Sequence, residues 1–380
     1  MYIIKLRALF TAWQGKVEAF GCAKAEVFMK IIIIVSSLTN GGSERVASIL
    51  ANSFIDKGHK VSIITAVSDK RSYEVNREVS VYNIKQIKPL TIFRTVQIVG
   101  ILAKEKPDVV ISFLLKECLG AIWMGIPLIS SLRFDPFAVH AECQKKIMKY
   151  VFGHSTRVVY QTEMAKKTYG DLIKNNGYVI ANPISRKLPT WELKDANKRF
   201  IAVGRLTPVK NFRMLIEAFY EFHIDNSQYS LEIYGRGEQK GELEDLINSL
   251  RADGYIMLKG FEESIGDVMS KSFAFCQTSN HEGLSNSMLE AMAVGIPVIC
   301  TDCLIGGPRE YIKDKFNGLL IPVGDKAALV EAMKFYAECG DRLQTISENA
   351  RKIRELINED EIFSKWEKLL KDVCGEQIDK

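Results

Sequence analysis

Residues 31–35 read IIIIV, and the loop SSLTNGG (36–42) follows them directly. A continuous run of β-branched apolar residues predicts a strand buried on both faces, as the inner strands of a parallel sheet are. Helical periodicity then extends from about Ser43 to Lys57, and Gly58 is a typical helix stop signal. A buried strand, a glycine loop and a helix make the first unit of an open α/β sheet.

The same alternation continues through the first half of the chain. Further strands are predicted near residues 61–65, 80–84, 108–112, 127–130, 157–160 and 178–180, with helical patterns between several of them. Asn182, Pro183 and Pro189 interrupt the pattern and indicate a linker.

Alternation resumes in the second half. Strands are predicted near 199–203, 230–234, 255–258, 273–276 and 297–300, and helices near 211–223, 239–251, 264–271, 286–294, 326–339, 341–357 and 361–372. Alternating strands and helices predict parallel sheets with right-handed crossovers. The predicted fold class is therefore α/β, with two Rossmann-like doubly wound domains, 29–183 and 184–360, that face each other across a cleft.

The first 28 residues form a separate N-terminal extension. Apolar residues from Ile3 to Phe20 recur at helical spacing, and Lys5, Arg7, Lys16 and Lys24 make the segment basic. One interpretation is an interfacial membrane helix. The other, which we favour, is an upstream extension of the reading frame with Met29 as the natural start.

Composition and charge indicate which partners and which cellular compartment fit the chain. Residues 1–180 hold 25 Lys and Arg against 14 Asp and Glu, whereas residues 181–380 hold 26 against 32. A basic first half predicts contact with an anionic partner such as a membrane surface or a phosphorylated lipid, although a merely solvated basic face remains open. No nucleic-acid recognition motif accompanies the charge, so nucleic acid is the least favoured partner. Eight scattered cysteines suggest no disulfide framework and indicate the reduced cytosol.

Two strand-end loops have the chemistry of a phosphate site. Gly41 and Gly42 would let backbone N–H groups approach a phosphate or sugar at a helix N-terminus, or form only a tight turn. In the loop GRLTPVKN (204–211), Arg205 can form paired hydrogen bonds with diphosphate oxygens and Lys210 can add a second positive charge. The competing interpretation is two solvated surface cations.

A third loop carries two carboxylates. Glu282 precedes a predicted helix and Glu290 lies about one turn into it. A carboxylate can accept two hydrogen bonds from a ribose or sugar diol. The backbone N–H groups of Gly283, Leu284, Ser285 and Asn286 would point at the phosphates. Otherwise Glu282 only caps the helix and Glu290 is a structural partner within it.

Three further motifs are weaker. The loop GGPRE (306–310) offers another turn to the same pocket. The triplet GRG (235–237) begins a dinucleotide fingerprint, but Lys240 stands where its third glycine belongs. The pair Cys300 and Cys303 is a lone C-x-x-C, for which two cysteines at a strand end is the favoured interpretation over a metal or redox site.

Together these residues resemble the retaining glycosyltransferases of family four, which have the GT-B fold. The resemblance rests on EGLSNSMLEAMAVGIPVI (282–299), GRLTPVKN (204–211) and GGSERV (41–46), and covers nearly all of 29–372. It implies that residues 361–380 form a helix that crosses back to the N-terminal domain. The segment DCLIGGPRE (302–310) is similar to bacterial enzymes that build capsule, O-antigen or exopolysaccharide.

The resemblance also implies roles for single residues. Glu290 would bind the nucleotide ribose, Arg205 and Lys210 the diphosphate, and Glu282 the donor-sugar hydroxyls, while Gly41 and Gly42 would lie against the diphosphate from the opposite domain. Arg205, Lys210 and Glu282 are thus the expected catalytic residues. No metal or other cofactor is expected, in keeping with the absence of an Asp-x-Asp motif.

One departure concerns the donor sugar. Many family members carry a His in the first domain that reaches it, whereas the stretch SSLRFDP (130–136) has none. Arg133 or Asp135 would substitute as a donor-sugar or acceptor contact, while His140 is expected on a surface helix.

The expected activity is transfer of a hexose or N-acetylhexosamine from a nucleotide sugar, with UDP as the favoured base, to a lipid-linked or oligosaccharide acceptor. The expected location is the cytoplasm, on the inner face of the plasma membrane, with Lys145, Lys146 and Lys149 facing anionic lipid. The competing functions are a nucleotide-sugar epimerase of similar fold and a non-catalytic sugar-nucleotide-binding subunit.

Overall fold

The computed structural model describes residues 28–39, 41–70, 72–84, 91–133, 142–173, 177–185, 187–305 and 307–375. The N-terminal extension, apart from Phe28, lies outside the described residues, as do Asp135 and His140.

The first half of the chain builds a seven-stranded, all-parallel sheet in the order β3-β2-β1-β4-β5-β6-β7. Its strands are β1 Lys30–Val35, β2 Lys60–Thr65, β3 Ser80–Asn83, β4 Val109–Ser112, β5 Leu128–Leu132, β6 Arg157–Tyr160 and β7 Gly177–Val179. Its helices are α1 Gly42–Asp56, α2 Thr91–Glu105, α3 Leu119–Trp123, α4 Glu142–His154 and α5 Glu163–Ile173.

The run 31–35 occupies the centre of this sheet. Ile33 of β1 pairs with Ile63 of β2 on one side and Ile111 of β4 on the other. Ile31 and Ile33 pack with α1, whereas Ile32 packs with α2 to α5 on the opposite face. The strand is covered on both faces, and this is why its sequence is continuously apolar.

The second half builds a six-stranded parallel sheet in the order β10-β9-β8-β11-β12-β13. Its strands are β8 Arg199–Val203, β9 Ser230–Tyr234, β10 Ile256–Gly260, β11 Ala274–Gln277, β12 Val298–Thr301 and β13 Leu319–Ile321. Its helices are α6 Phe212–Asp225, α7 Lys240–Ser249, α8 Ile265–Ser270, α9 Asn286–Val294, α10 Pro308–Tyr311, α11 Lys326–Glu338, α12 Arg342–Arg351 and α13 Ile353–Leu356. The expected single helix over 341–357 is therefore two helices.

The chain passes between the two units twice, and the two passages lie side by side. The N–H of Ile184 donates to the carbonyl of Ile357 at 3.2 Å. The last helix, α14 Glu359–Gly375, then lies against the first unit. Its Asp372 accepts a hydrogen bond from Tyr178 at 3.2 Å, and its Glu367 lies 3.7 Å from the ammonium group of Lys57.

Candidate active site

The loop that carries Arg205 and Lys210 is shaped by close backbone packing. Gly235, which follows β9, adopts φ +150°, and a Cβ there would lie 1.8 Å from the carbonyl oxygen of Gly204. A Cβ at Gly237 would lie 2.2 Å from the carbonyl oxygen of Leu206. The GRG triplet therefore supports the neighbouring 204–211 loop through close approach of its backbone, and this explains its glycines without a dinucleotide.

Lys210 and Glu282 form an ion pair between the loops after β8 and β11. Their side chains are only 18% and 13% exposed. The carboxylate of Glu282 also accepts a hydrogen bond from Ser279 at 2.7 Å. Ser285, not Glu282, caps α9 by accepting the N–H of Met288. The competing interpretation of Glu282 as a helix cap is therefore wrong.

Arg205 is exposed at the same edge of the second sheet. Within the described part of the chain it has no acidic partner, in contrast to Lys210. Ser287, in the first turn of α9, donates to the carbonyl of Val203 at 3.3 Å, so that the helix start lies beside the strand that leads to Arg205. Two cations and a helix N-terminus are thus gathered at one sheet edge, where parallel strands end and ligands bind.

Glu290 lies in α9 with its side chain 10% exposed, and it is paired across the cleft with Arg45 of α1. Burial lowers the pKa of the Arg45 guanidinium, because the charged form loses hydration. Sequence reasoning did not single out Arg45, although it lies within the GGSERV stretch.

Gly41 and Gly42 lie at the N-terminus of α1, opposite the N-terminus of α9. The carbonyl of Gly42 accepts a hydrogen bond from the Asn286 side chain at 3.3 Å, and a Cβ at Gly42 would stand 3.1 Å from that side-chain nitrogen. The starts of two helices therefore meet across the cleft. Both present positive helix ends, which favour an anion between them.

A cluster of polar side chains next to Asn286 joins the two units. Gln161 accepts the N–H of Leu284 at 3.2 Å and donates to Asn182 at 2.8 Å. Asn182 in turn donates to the carbonyl of Leu284 at 3.2 Å and to the Asn286 side chain. The predicted linker residue Asn182 is therefore a buried part of the cleft, and the 283–286 loop is held by side chains from the first unit.

Two family models match successive parts of the chain. Residues 40–187 match the model described as Glycosyltransferase Family 4, and residues 184–353 match the model described as Glycosyl transferases group 1. The chain belongs to the family-four glycosyltransferases of the GT-B fold. It is therefore a transferase enzyme, and the predicted family and fold class are confirmed.

Relatives and solved structures agree with this assignment. An α-1,4-N-acetyl-D-galactosaminyltransferase of Campylobacter jejuni, named for a diphosphoundecaprenol-linked substrate, is 25% identical over 364 residues, which cover 91% of this chain and 99% of the relative. The amylovoran biosynthesis glycosyltransferase AmsD of Erwinia amylovora is 26% identical and covers 75% of this chain and 84% of its own. HepE of Anabaena, solved with UDP and glucose, superposes with a TM-score of 0.76 at 18% identity over 90% of this chain and 100% of its own.

Arg133 lies where the glycosyltransferase lacks the expected His. Its guanidinium stacks over the Phe113 ring at 4.1 Å and donates to Ser131 at 3.0 Å and to Asn182 at 2.7 Å. Its Nη2 atom is buried and has no hydrogen-bond partner among the described residues. Burial lowers the pKa of Arg133 to about 9, partly offset by Glu44, so the group is a desolvated cation at neutral pH.

The C-x-x-C motif of the glycosyltransferase is structural. Cys300 and Cys303 are buried, and Cys303 donates to the carbonyl of Ser279 at 3.2 Å. Burial raises the pKa of the Cys303 thiol to about 11, so it stays protonated at neutral pH. Across the described residues, no cluster of three or more His, Cys, Asp or Glu side chains is arranged to hold a metal ion.

The described part of the GGPRE loop, residues 307–310, contributes backbone packing. The N–H of Gly307 donates to the carbonyl of Gly283 at 3.3 Å. Arg309, which is half exposed, forms a bidentate salt bridge with Asp302.

Within the described residues, no helix has the length and apolar character needed to cross a bilayer.

Proposed function

We propose that this glycosyltransferase moves a hexose or N-acetylhexosamine from a UDP-sugar to a hydroxyl of a lipid-linked saccharide, with retention at the anomeric carbon, during synthesis of a bacterial surface polysaccharide. The observation that carries the proposal is the meeting of Lys210, Glu282 and the exposed Arg205 with two helix N-termini across the cleft. Arg205, unpaired among the described residues, the ammonium group of Lys210 and the two positive helix ends suit a diphosphate leaving group.

The reaction breaks the bond between the anomeric carbon and the diphosphate oxygen while positive charge develops on the sugar. Arg205, Lys210 and the starts of α1 and α9 would stabilise the charge that grows on the leaving diphosphate. The acceptor hydroxyl would attack from the face that the diphosphate leaves, and a diphosphate oxygen would take its proton. Because protein cations supply the positive charge, we propose that no metal ion is needed.

Glu290 would receive the ribose diol. Its carboxylate can accept two hydroxyl hydrogen bonds once the guanidinium of Arg45 releases it. UDP is favoured as the nucleotide because HepE is solved with UDP-glucose as well as with UDP and glucose. Glu282, held beside Lys210, would contact the sugar hydroxyls.

The names of two relatives support a lipid-linked saccharide as the acceptor. The Campylobacter jejuni relative is named for an undecaprenol diphosphate substrate, and AmsD is named for an exopolysaccharide. A lipid-linked saccharide acceptor implies work at the inner face of the plasma membrane, and we propose a cytoplasmic, peripherally bound enzyme.

A donor panel tests the proposal. Purified full-length enzyme is incubated with UDP- and GDP-hexoses and N-acetylhexosamines, with and without undecaprenyl-diphosphate saccharides, and with EDTA present. Acceptor-dependent UDP release and a product whose anomeric NMR coupling matches the donor support it. Isomerised sugar nucleotide without UDP release would instead identify an epimerase, and binding without turnover across a panel that includes the relatives' acceptors would identify a non-catalytic subunit.

The variant Arg205→Ala tests the assignment of Arg205 to the diphosphate. We expect transfer to fall by about 10²- to 10³-fold, the loss typical of removing one group that stabilises transition-state charge. Arg213→Ala, on the outer face of α6, is the control and should keep full activity. Near-normal turnover in Arg205→Ala would remove the diphosphate assignment.

A further inference from the structure

Arg133 is a cation of the cleft whose hydrogen-bonding groups are not all used. It directly follows β5 and so lies at the carboxyl edge of the first sheet. The guanidinium stacks over the Phe113 ring, its Nε atom donates to Ser131 and its Nη1 atom donates to Asn182. The Nη2 atom is buried and finds no acceptor within the described residues. Two N–H groups of this nitrogen therefore remain for a ligand.

The neighbouring side chains neutralise the charge of Arg133 only in part. Its two protein acceptors, the Ser131 hydroxyl and the Asn182 side-chain carbonyl, are both neutral. Glu44 is an acidic side chain whose charge acts on Arg133, but its carboxylate accepts a hydrogen bond from Ser36. A buried charge without a paired counter-ion costs free energy. An oxyanion that accepts from Nη2 would remove that cost.

The position of Arg133 links it to the starts of two helices. Asn182, which accepts from Arg133, donates to the side chain of Asn286, the first residue of α9. The Asn286 side chain in turn donates to the carbonyl of Gly42, the first residue of α1. Arg133 is thus two hydrogen bonds away from the residue at which α1 and α9 meet. A partly compensated guanidinium beside two positive helix ends favours an anion at this place.

We propose that Arg133 binds an oxyanion of the nucleotide-sugar donor from the first unit, opposite Arg205 and Lys210 of the second. A guanidinium forms paired, charge-assisted hydrogen bonds with phosphate and carboxylate oxygens, whereas a sugar hydroxyl would leave its charge uncompensated. The helix starts favour the diphosphate as the source of the oxyanion, and a carboxylate on the transferred sugar is the other source. The inference rests on the proposed function and adds a donor ligand from the first unit.

The ligand-free arrangement explains why Nη2 is shielded. Arg133 lies where the units touch, since a Cβ on Gly283 would stand 3.0 Å from the Arg133 carbonyl oxygen. A donor would reach Nη2 when the units part here, which exchanges the contact between Asn286 and Gly42 for contacts with the ligand. One diphosphate held by Arg133 from the first unit and by Arg205 from the second would then draw the units together around the donor.

Nucleotide binding to the full-length chain tests the inference. UDP is measured by isothermal titration and uridine by ligand-observed NMR. Arg133→Gln should weaken UDP by about 10- to 100-fold, the loss typical of a hydrogen bond to a charged group, and leave uridine unchanged. Arg133→Lys keeps the charge without the planar fork and should lose less. The control Arg213→Gln removes an exposed arginine that pairs with Glu242 and should change neither ligand.

The comparison of UDP with uridine separates ligand binding from a structural role. If Arg133 acted only by holding Asn182 in place, its loss would disturb the whole cleft and weaken UDP and uridine by the same factor. That result would overturn the inference. Equal affinities of the parent and Arg133→Gln for UDP and for the UDP-sugars described next would overturn it as well. Melting temperatures measured on the same samples show that the folded protein is compared.

Two donors distinguish the sources of the oxyanion. UDP-glucose and UDP-glucuronate are titrated into the parent and into Arg133→Gln. If Arg133 binds the diphosphate, both donors should weaken by the same factor as UDP. If it binds a sugar carboxylate, UDP affinity should stay the same, and the parent should prefer UDP-glucuronate by about 10-fold or more while the variant does not. Either result assigns an oxyanion to Arg133.

Activity separates this inference from the proposed function. If the parent transfers sugar and Arg133→Gln keeps the parent's affinities and turnover, the inference fails and the function stands. If the parent binds UDP but transfers nothing to any acceptor, the function fails, while the ratio of UDP to uridine affinity still decides the role of Arg133.

Discussion

Arg45 and Glu290 are 245 residues apart in sequence, yet they form an ion pair that joins α1 of the first unit to α9 of the second. In the proposed function Glu290 binds the ribose, so the pair would occupy the position of the nucleotide. The ion pair would then join the two units through the same carboxylate that the donor is proposed to bind. Donor binding would exchange the guanidinium for two ribose hydroxyls.

Substitution of Glu290 tests the ribose assignment. Glu290→Ala should weaken UDP binding about 100-fold, because hydrogen bonds to a charged group are worth about 1.5–3 kcal/mol each. Isothermal titration with UDP and 2′-deoxy-UDP provides the measurement. The parent enzyme should discriminate against the deoxynucleotide and the variant should not. Equal discrimination by both would place the ribose elsewhere.

Substitution of Arg45 tests the exchange. Arg45→Met frees Glu290, so UDP should bind up to about five-fold more tightly, since a partly exposed pair is worth at most about 1 kcal/mol. Small-angle scattering of the ligand-free variant should show a larger radius of gyration, because a contact between the units is gone. A ten-fold loss of UDP affinity would mean that Arg45 itself binds the nucleotide.

The Lys210–Glu282 pair makes a prediction about chemistry. Lys210→Met should lower kcat by about 10²- to 10³-fold with little change in the melting temperature, because the charge acts on the leaving group. Glu282→Gln should raise KM for the donor sugar. The surface variant Lys240→Met, whose lysine pairs with Glu244 on α7, serves as the control. A loss of the same size in the control would indicate a general effect on the fold.

Much of this arrangement could be predicted because it is local in sequence. The β-branched run 31–35 and the strand–loop–helix pattern placed most strands within one or two residues of their observed bounds. Strand β13 was missed because Leu319–Ile321 has only three residues, too few to show a period. The break at Lys352 that divides α12 from α13 has no glycine or proline to signal it.

Contacts between the units could not be predicted. Arg45, Gln161 and Asn182 act through partners more than 100 residues away, and nothing in the local sequence around them indicates those partners. Asn182 even looked like a linker residue because Pro183 follows it. Glu282 and Lys210 were predictable as candidates since each lies in a loop directly after a strand, but their pairing was not.

The two units also approach each other closely at Gly283. A Cβ there would stand 2.8 Å from the Gln161 side-chain oxygen and 3.0 Å from the carbonyl of Arg133. Gly283→Ala should push the units apart and lower kcat/KM by about 100-fold, as a misplacement of about 1 Å can. The control is Gly241→Ala: a Cβ at Gly241 would meet no other atom within 4 Å, so this variant should keep full activity. Unchanged kinetics in Gly283→Ala would show that the cleft does not need this close approach.

His59 links stability to pH at the junction of α14 with the first unit. It is buried, and its Nδ1 atom accepts the N–H of Met29 at 3.2 Å, which requires the neutral ring. Burial lowers the pKa of His59, while Glu367 of α14 raises it and Lys371 lowers it further. Below the ordinary histidine value of about 6.5, the unfolded chain therefore binds more protons than the folded one.

Stability should consequently fall as pH drops from about 6.5 through the lower folded value, and be insensitive to this group above that range. Denaturant unfolding at pH 7.5 and at pH 5 gives the free energy of unfolding at each pH, and the difference between the two measures the loss. His59→Gln keeps an acceptor for Met29 without a titrating ring, so it should reduce the loss at pH 5, whereas His154→Gln at an exposed site should leave it unchanged. Equal acid sensitivity in the parent and His59→Gln would contradict the prediction, since the loss would then come from other groups.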